Sequence, residues 1–150
     1  MITGELQVFR RGIDMSGETD LDKLIGAMQP VLGKPEYVFA SLDTDSSVSL
    51  TALAPLGTFH EKEGLTVIVS KTHADVSGLA YQGVFQCITL NVYSSLDAVG
   101  LTAAVSTALA LHGISANVVA AYYHDHIFVP TEKAAQALSC LNDLARDGFF

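Results

Sequence analysis

Residues 85–130, FQCITLNVYSSLDAVGLTAAVSTALALHGISANVVAAYYHDHIFVP, decide how the chain is read. Phe85 to Tyr93 alternates, with Ile88, Leu90 and Val92 on one face and Cys87, Thr89 and Asn91 on the other, which is the pattern of a strand with two different environments. Ser94 and Ser95 stand where a helix N-cap belongs, Asp97 falls in the first turn, and Leu101, Ala104, Val105, Ala108 and His112 recur at helical spacing up to Gly113. Ile114 to Tyr123 reads as a buried strand of small and β-branched residues. His124 and Asp125 form a turn, and His126 to Val129 returns as the second arm of a hairpin. Behind Pro130, Thr131 caps a last helix whose apolar stripe is Ala134, Ala137, Leu138, Leu141 and Ala145. Strand, helix, strand, strand, helix is the split βαβ order. It predicts an α+β protein in which an antiparallel sheet carries its helices on one face.

Upstream the same kinds of element come in a looser order. Leu21, Leu24, Ile25 and Met28 follow helical spacing behind Asp20 and end at Pro30. Tyr37 to Leu42 is a short strand, Asp43 to Ser47 a polar loop, and Val48 to Leu53 a weaker strand. Thr58 to Val69 reads as a hairpin turning through Glu61 to Gly64, with Gly64 as its positive-φ residue, and a short helix is expected within Lys71 to Ala80. No exact internal repeat is visible, yet two related units sharing one sheet fit this order. Residues 1–18 are then an N-terminal extension open to disorder, 19–82 a first unit and 83–150 a second.

At 150 residues the chain has the size of one domain, or of two small units sharing a sheet, and a large multidomain enzyme is excluded. Only 16% of the residues are charged and the mean hydropathy is +0.36, so the chain packs, with apolar surface left over for another subunit. The net charge of −8 offers no footprint for a phosphate backbone or an anionic membrane, which argues against both partners. Phe85 to Tyr123 is nearly uncharged but is broken by Asp97, Gly100 and the turn residues 113–117, so it does not read as a membrane span. The start has no apolar run behind Arg10 and Arg11. Cys87 and Cys140 have no CxxC spacing and read as inert core thiols, consistent with a cytoplasmic protein.

Two clusters could carry chemistry. In YYHDH, Tyr122 to His126, the histidines His124 and His126 share one side of an extended strand and Asp125 points away. That arrangement suits an ordinary turn with imidazoles bonded to backbone, a contact to a small ligand, or a two-histidine metal site. The second cluster is the strand-to-helix junction with Asn91, Ser94, Ser95, Leu96, Asp97 and Gly100. Free N–H groups at a helix start there can receive a carboxylate or a capping serine, and Asn91 and Asn117 are expected to flank the junction. Gly100 inside a helix implies close approach by a backbone, a ligand or the sheet. His60, Glu61 and Glu63 read as a charged hairpin turn. No GxSxG, HExxH, Walker or Rossmann glycine pattern occurs, and neither cysteine adjoins a histidine, so no catalytic constellation and no cofactor are expected.

Ser94 to Ile127 resembles an ACT domain, the small regulatory module that binds amino acids, through its polar strand end, Gly100 with Leu101, and the stop at Gly113 followed by Ile114 and a strand near Asn117. Through YVFASL, TFHEKEGLTVIV, GLAY, SSLDAVGLTAAV and GISANVVAAYYHDHIFVP, residues from about 15 to 144 resemble a bacterial family of uncharacterised ACT-domain proteins. More distantly the chain is similar to the paired ACT modules of aspartate kinase regulatory regions and of the cytosolic arginine sensor of animals. Residues 1–14 fall outside the resemblance, as an upstream start or leader. The resemblance implies ferredoxin-like βαββαβ units, association between units, and effectors bound where units meet. By position it carries the family's site onto Asn91, Ser94, Ser95, Val99, Gly100, Leu101, Asn117, Val118 and Val119. The glycine-rich turn of amino-acid-binding modules is represented here by SSLDAVG.

The expected function is therefore a non-enzymatic regulatory module sensing a small ligand, an amino acid above all, as a homodimer. The alternatives are a metal-binding protein or enzyme using His124 and His126, and a ligand-free interaction module.

Overall fold

The computed structural model describes residues 20–93 and 98–148. A first helix, α1 (Leu21–Ala27), is followed by β1 (Pro30–Leu42), α2 (Leu50–Leu53), β2 (Gly57–His60), β3 (Leu65–Ser70) and α3 (Lys71–Val76). Then come β4 (Phe85–Leu90), α4 (Leu101–Leu111), β5 (Asn117–Ala120), β6 (Asp125–Pro130), a 3-10 turn (Thr131–Lys133) and α5 (Ala134–Asp147). The strands form one antiparallel sheet in the order β2-β3-β1-β4-β6-β5. Among the described residues no helix is long and apolar enough to cross a membrane.

Strand alternation sorts the side chains onto two faces. Val38, Ala40 and Leu42 of β1, Val67 and Val69 of β3, Ile88 and Leu90 of β4, and Ile127 and Val129 of β6 lie under the helices. The larger core gathers α4, α5 and also α1, whose Leu24 and Ile25, with the C-cap Met28, are buried among residues of the second half of the chain. The smaller one packs Leu53 of α2 and Ala74 of α3. The opposite face curls inward over its own side chains, and Phe128 is buried there with Ile68 and Cys87, walled by Tyr37, Phe39 and Phe85. Phe39 meets both Phe85 and Phe128 edge to face, with ring centroids 5.5 and 5.4 Å apart.

β1 runs through Gly33, Lys34 and Pro35, where the sequence suggested a break before Tyr37. Leu32 pairs with Ile88 and Glu36 with Gln86, so β1 carries two extra residues against β4. A proline without an N–H is tolerated at such a bulge, and the Gln86 side-chain amide donates to the freed Gly33 carbonyl at 3.1 Å.

The two related units expected from the element order appear as a repeat in pairing register. β2 pairs with β3 as Gly57 with Ile68 through His60 with Leu65, and β5 pairs with β6 as Asn117 with Phe128 through Ala120 with Asp125. These registers match sixty residues apart. Both hairpins close over four residues, with Glu61 N–H donating to the Gly64 carbonyl at 2.9 Å and Ala121 N–H to the His124 carbonyl at 3.0 Å. Each unit runs strand, helix, hairpin, helix, and the second has the longer helices.

Several local expectations are corrected. Val48 to Leu53 is not a strand: Ser49 Oγ accepts from Ala52 N–H at 3.3 Å and starts the short helix α2. Ser94 and Ser95 lie outside the described residues, and the helix they were expected to cap begins only at Leu101. Gly100 takes the N-cap position at φ +102°, a conformation that excludes it from the helix. A Cβ on Gly100 would lie 3.0 Å from Leu21 Cδ2, so the close approach expected there comes from α1. The strand expected over Ile114 to Tyr123 shrinks to Asn117–Ala120, an exposed edge, because Ile114 is still tied to the helix end through the Leu109 carbonyl. Leu109, not His112, completes the buried stripe of α4. His112 is exposed, with Nδ1 2.9 Å from the Ala108 carbonyl. Thr131 does not cap the last helix, and its hydroxyl is buried without a hydrogen-bond partner.

Two glycines with opposite surroundings test this packing. A Cβ on Gly64 would lie 2.5 Å from the Leu42 carbonyl oxygen, so Gly64→Ala must push the first hairpin off β1. Gly26 has open space around it within α1. Gly64→Ala is expected to lower unfolding stability by about 1–3 kcal/mol, and Gly26→Ala to raise it by about 0.4–1 kcal/mol, both read from urea midpoints.

Candidate functional site

The second strand-to-helix junction leaves the sheet at the end of β4. Asn91 N–H donates to the Gln29 carbonyl at 3.1 Å, which ties the junction to the start of β1. Next to it, His124 Nδ1 lies 3.4 Å from the Val92 carbonyl, so the turn between β5 and β6 is pinned to the same segment. Tyr93 meets Tyr123 at a tilt with ring centroids 5.7 Å apart, and Tyr123 meets Tyr122 edge to face at 4.8 Å. Register places Thr89, His126 and Val119 side by side on three adjacent strands.

His126 Nδ1 is 2.9 Å from Thr89 Oγ1, with Cys87 Sγ 4.0 Å from each of these atoms. Burial pushes the His126 pKa down, the neighbouring His124 adds to this, and Asp125 opposes it. Asp125 lies on the helix side of β6 by alternation; burial raises its carboxyl pKa, against the pull of His126 and His124. Burial also raises the Cys87 pKa and keeps it a thiol. Cys140, with Sγ 3.4 Å from His112 Nδ1, is likewise shifted up by burial first and by Asp143 second.

The predicted residues therefore divide. Asn91, His124, Asp125 and His126 gather at the exit of β4. Val99 is exposed, Leu101 is buried under the helices, and Ser94, Ser95, Leu96 and Asp97 lie outside the described residues. Asn117 does not flank the junction with Asn91: it pairs with Phe128, level with Cys87 farther down the sheet, and its amide donates to the Phe128 carbonyl at 3.4 Å. Val118 packs toward the larger helix-side core, and Val119 turns to the inner face. The two imidazoles take separate partners, and among the described residues no group of three histidine, cysteine or carboxylate side chains is placed to hold a metal. In the first hairpin Thr66 Oγ1 donates to Glu61. Thr89, Cys87 and Tyr93 were not expected at the site. Their alternation was legible in the strand, but bringing them to His126 and Tyr123 required the register.

The two junctions are variants of one design. Val48–Ser49–Leu50–Thr51–Ala52 and Val99–Gly100–Leu101–Thr102–Ala103 each enter a helix at the third residue. The first start is closed by the Ser49 hydroxyl, whereas Gly100 has no side chain to offer the second.

A family model described as ACT domain matches residues 16–86, and a second one, also described as ACT domain, matches residues 84–143. The chain belongs to the ACT-domain family. Its two ACT units stand in tandem and share one sheet. It is similar to a Vibrio cholerae protein of unknown function, a possible transport protein, at 48% identity over 83% of this chain and 95% of that one, with a TM-score of 0.75. An Agrobacterium tumefaciens protein shares the fold at 16% identity, covering 79% of this chain and 89% of that one, with a TM-score of 0.64. So does the regulatory subunit of aspartate kinase from Thermus thermophilus, at 11% identity, 78% and 97% coverage and a TM-score of 0.55. No curated protein matches the chain. ACT domains are regulatory modules that bind small ligands.

A pH dependence follows from His126. Its folded pKa is depressed, so the unfolded chain binds the proton more readily. This contribution to stability is fully present above the unfolded-state pKa and falls away as the pH drops from there toward the folded value. NMR titration of the imidazole should give a midpoint below that of a free histidine. His126→Phe should flatten this limb of the stability profile.

Proposed function

We propose that the chain is a regulatory, non-catalytic sensor of an amino acid, working as a homodimer of two-unit ACT chains. The observation that supports this reading is that Gly100 gives the start of α4 no side-chain cap. Leu101, Thr102 and Ala103 open the longer of the two junction helices without a side-chain cap from Gly100, and a helix start favours an anion by about 0.3–1 kcal/mol before direct hydrogen bonds. In this reading the ligand carboxylate meets those N–H groups. Its ammonium is received by Asn91 or by Asp125. The units are taken as 19–82 and 83–150.

The homodimer rests on the outer side of α4. Ala103, Thr107 and Ala110 are exposed and uncharged, and Leu111 is 79% exposed. A solvated helix face ordinarily carries charge, and an apolar one invites a partner. The groove between α1 and α4, about 300 Å³ and bordered by Leu21, Ile25, Ala103 and Thr107, continues this surface.

Two measurements check the reading. In a thermal-shift panel of the common amino acids at millimolar concentration, one should raise the melting temperature, and its analogue lacking the carboxylate should not. Linkage gives about 2.7 kcal/mol at one hundred times the dissociation constant. A flat panel rejects the amino-acid assignment. Light scattering at micromolar concentration should give a dimer mass for the native chain and a lower mass for Ala103→Glu combined with Leu111→Glu. A native monomer rejects the homodimer.

A further inference from the structure

The inner face of the curled sheet holds a small pocket where its two edges meet. Leu56 and Gly57 reach it from the β2 edge, Val119 and Ala121 from the β5 edge, with Ile68, Phe128 and His126 between them. β2 and β5 are the outermost strands of the six, so a pocket lined by both lies across the seam between the two units. Its volume is about 120 Å³. That is close to the roughly 150 Å³ of a cavity known to hold one benzene ring. Apart from His126 the lining side chains are apolar, and the floor is the buried aromatic cluster around Phe128.

His126 sets the polar requirement. Its Nδ1 is engaged by Thr89 Oγ1 at 2.9 Å, which leaves Nε2 as the nitrogen able to serve a guest. A charged guest would be desolvated among Leu56, Ile68, Val119 and Phe128 without an opposite charge on the lining, which is unfavourable. We propose that this seam is a binding site for an uncharged, single-ring aromatic molecule bearing one hydrogen-bonding group, with the ring between the two sheet edges and the polar group at His126. The site lies on the inner face of the sheet, opposite the face that carries α4, and touches both ACT units, so its occupant would couple one unit to the other.

Phenol is the probe. In an amide NMR titration of the native chain, phenol should shift Gly57, Ile68, Val119, Ala121 and Phe128 saturably. Toluene, which keeps the ring and lacks the hydroxyl, should bind about two- to tenfold more weakly, the worth of one hydrogen bond. Gly57→Leu fills the pocket from an edge strand where a Cβ meets only Ile68, at an ordinary 3.7 Å. It should abolish the saturable shifts while leaving the response to amino acids unchanged. Should that variant misfold, Ala121→Phe fills the same space from the turn. Absence of saturable shifts in the native chain overturns the proposal, as does phenol binding of unchanged strength in a folded, filled variant. Neither result bears on the amino-acid reading.

Discussion

The thirteen-residue strand β1 hydrogen-bonds to β4 through its first half and to β3 along its second. This double pairing makes one sheet of two three-stranded units. The bulge at residues 33–35 lets a single strand serve both partners, since a strand with two extra residues bends and twists where it passes from one to the other. The inner cluster draws Tyr37, Phe39 and Ile68 from the first unit and Phe85, Cys87 and Phe128 from the second. Burying a phenylalanine such as Phe128 is worth about 1.5–3 kcal/mol, and that burial exists only while both units are in place. The helix side is tied in the same way. α1 belongs to the first half of the chain, yet it packs with α4 and α5 of the second unit, and β1 follows it directly.

The fold was legible where one strong pattern dominated. Alternation in Phe85 to Tyr93 assigned both faces of β4 correctly, and the stripe along Ala134 to Leu141 faces the core as spaced. The two related units were legible from the order of elements, whereas the detail of the repeat lies in pairing register and not in residue identity: GTFH and NVVA share no residue at equivalent positions, although their partners correspond one for one. The weak strand read into Val48 to Leu53 rested on Val48 and neglected Ser49 as a cap, while the twin start at Gly100 was obscured by two serines with better capping chemistry. Position along a strand was legible and position across strands was not, which is why Asn91 and Asn117 looked like neighbours.

Antiparallel pairing of β1 with β4 has a geometric effect on function. Leu90 lies beside Pro30, the first residue of β1, whereas β1 itself ends at Leu42 beside Leu65. The two strand-to-helix junctions therefore leave the sheet from opposite ends, and one chain cannot bring both of them to a single ligand. A two-fold pairing of chains can do so, because it sets like or unlike ends side by side. The uncharged outer side of α4 belongs to the same helix that Gly100 leaves without a side-chain cap, so the dimer surface and the anion site proposed above are parts of one element.

The two junctions also differ in what their helices can do. α2 spans four residues, with its first turn already satisfied by Ser49, and so short a helix carries little dipole. α4 spans eleven residues, and Gly100, at positive φ beside Leu21, gives its first N–H groups no side-chain cap. A serine at position 100 would close those groups, as Ser49 does in the first unit. It would also place a Cβ against α1 in a conformation that non-glycine residues rarely adopt. The positive φ at Gly100 and the missing side-chain cap thus meet at one residue, and a side chain placed there must also displace the Leu21 methyl that would lie 3.0 Å from its Cβ.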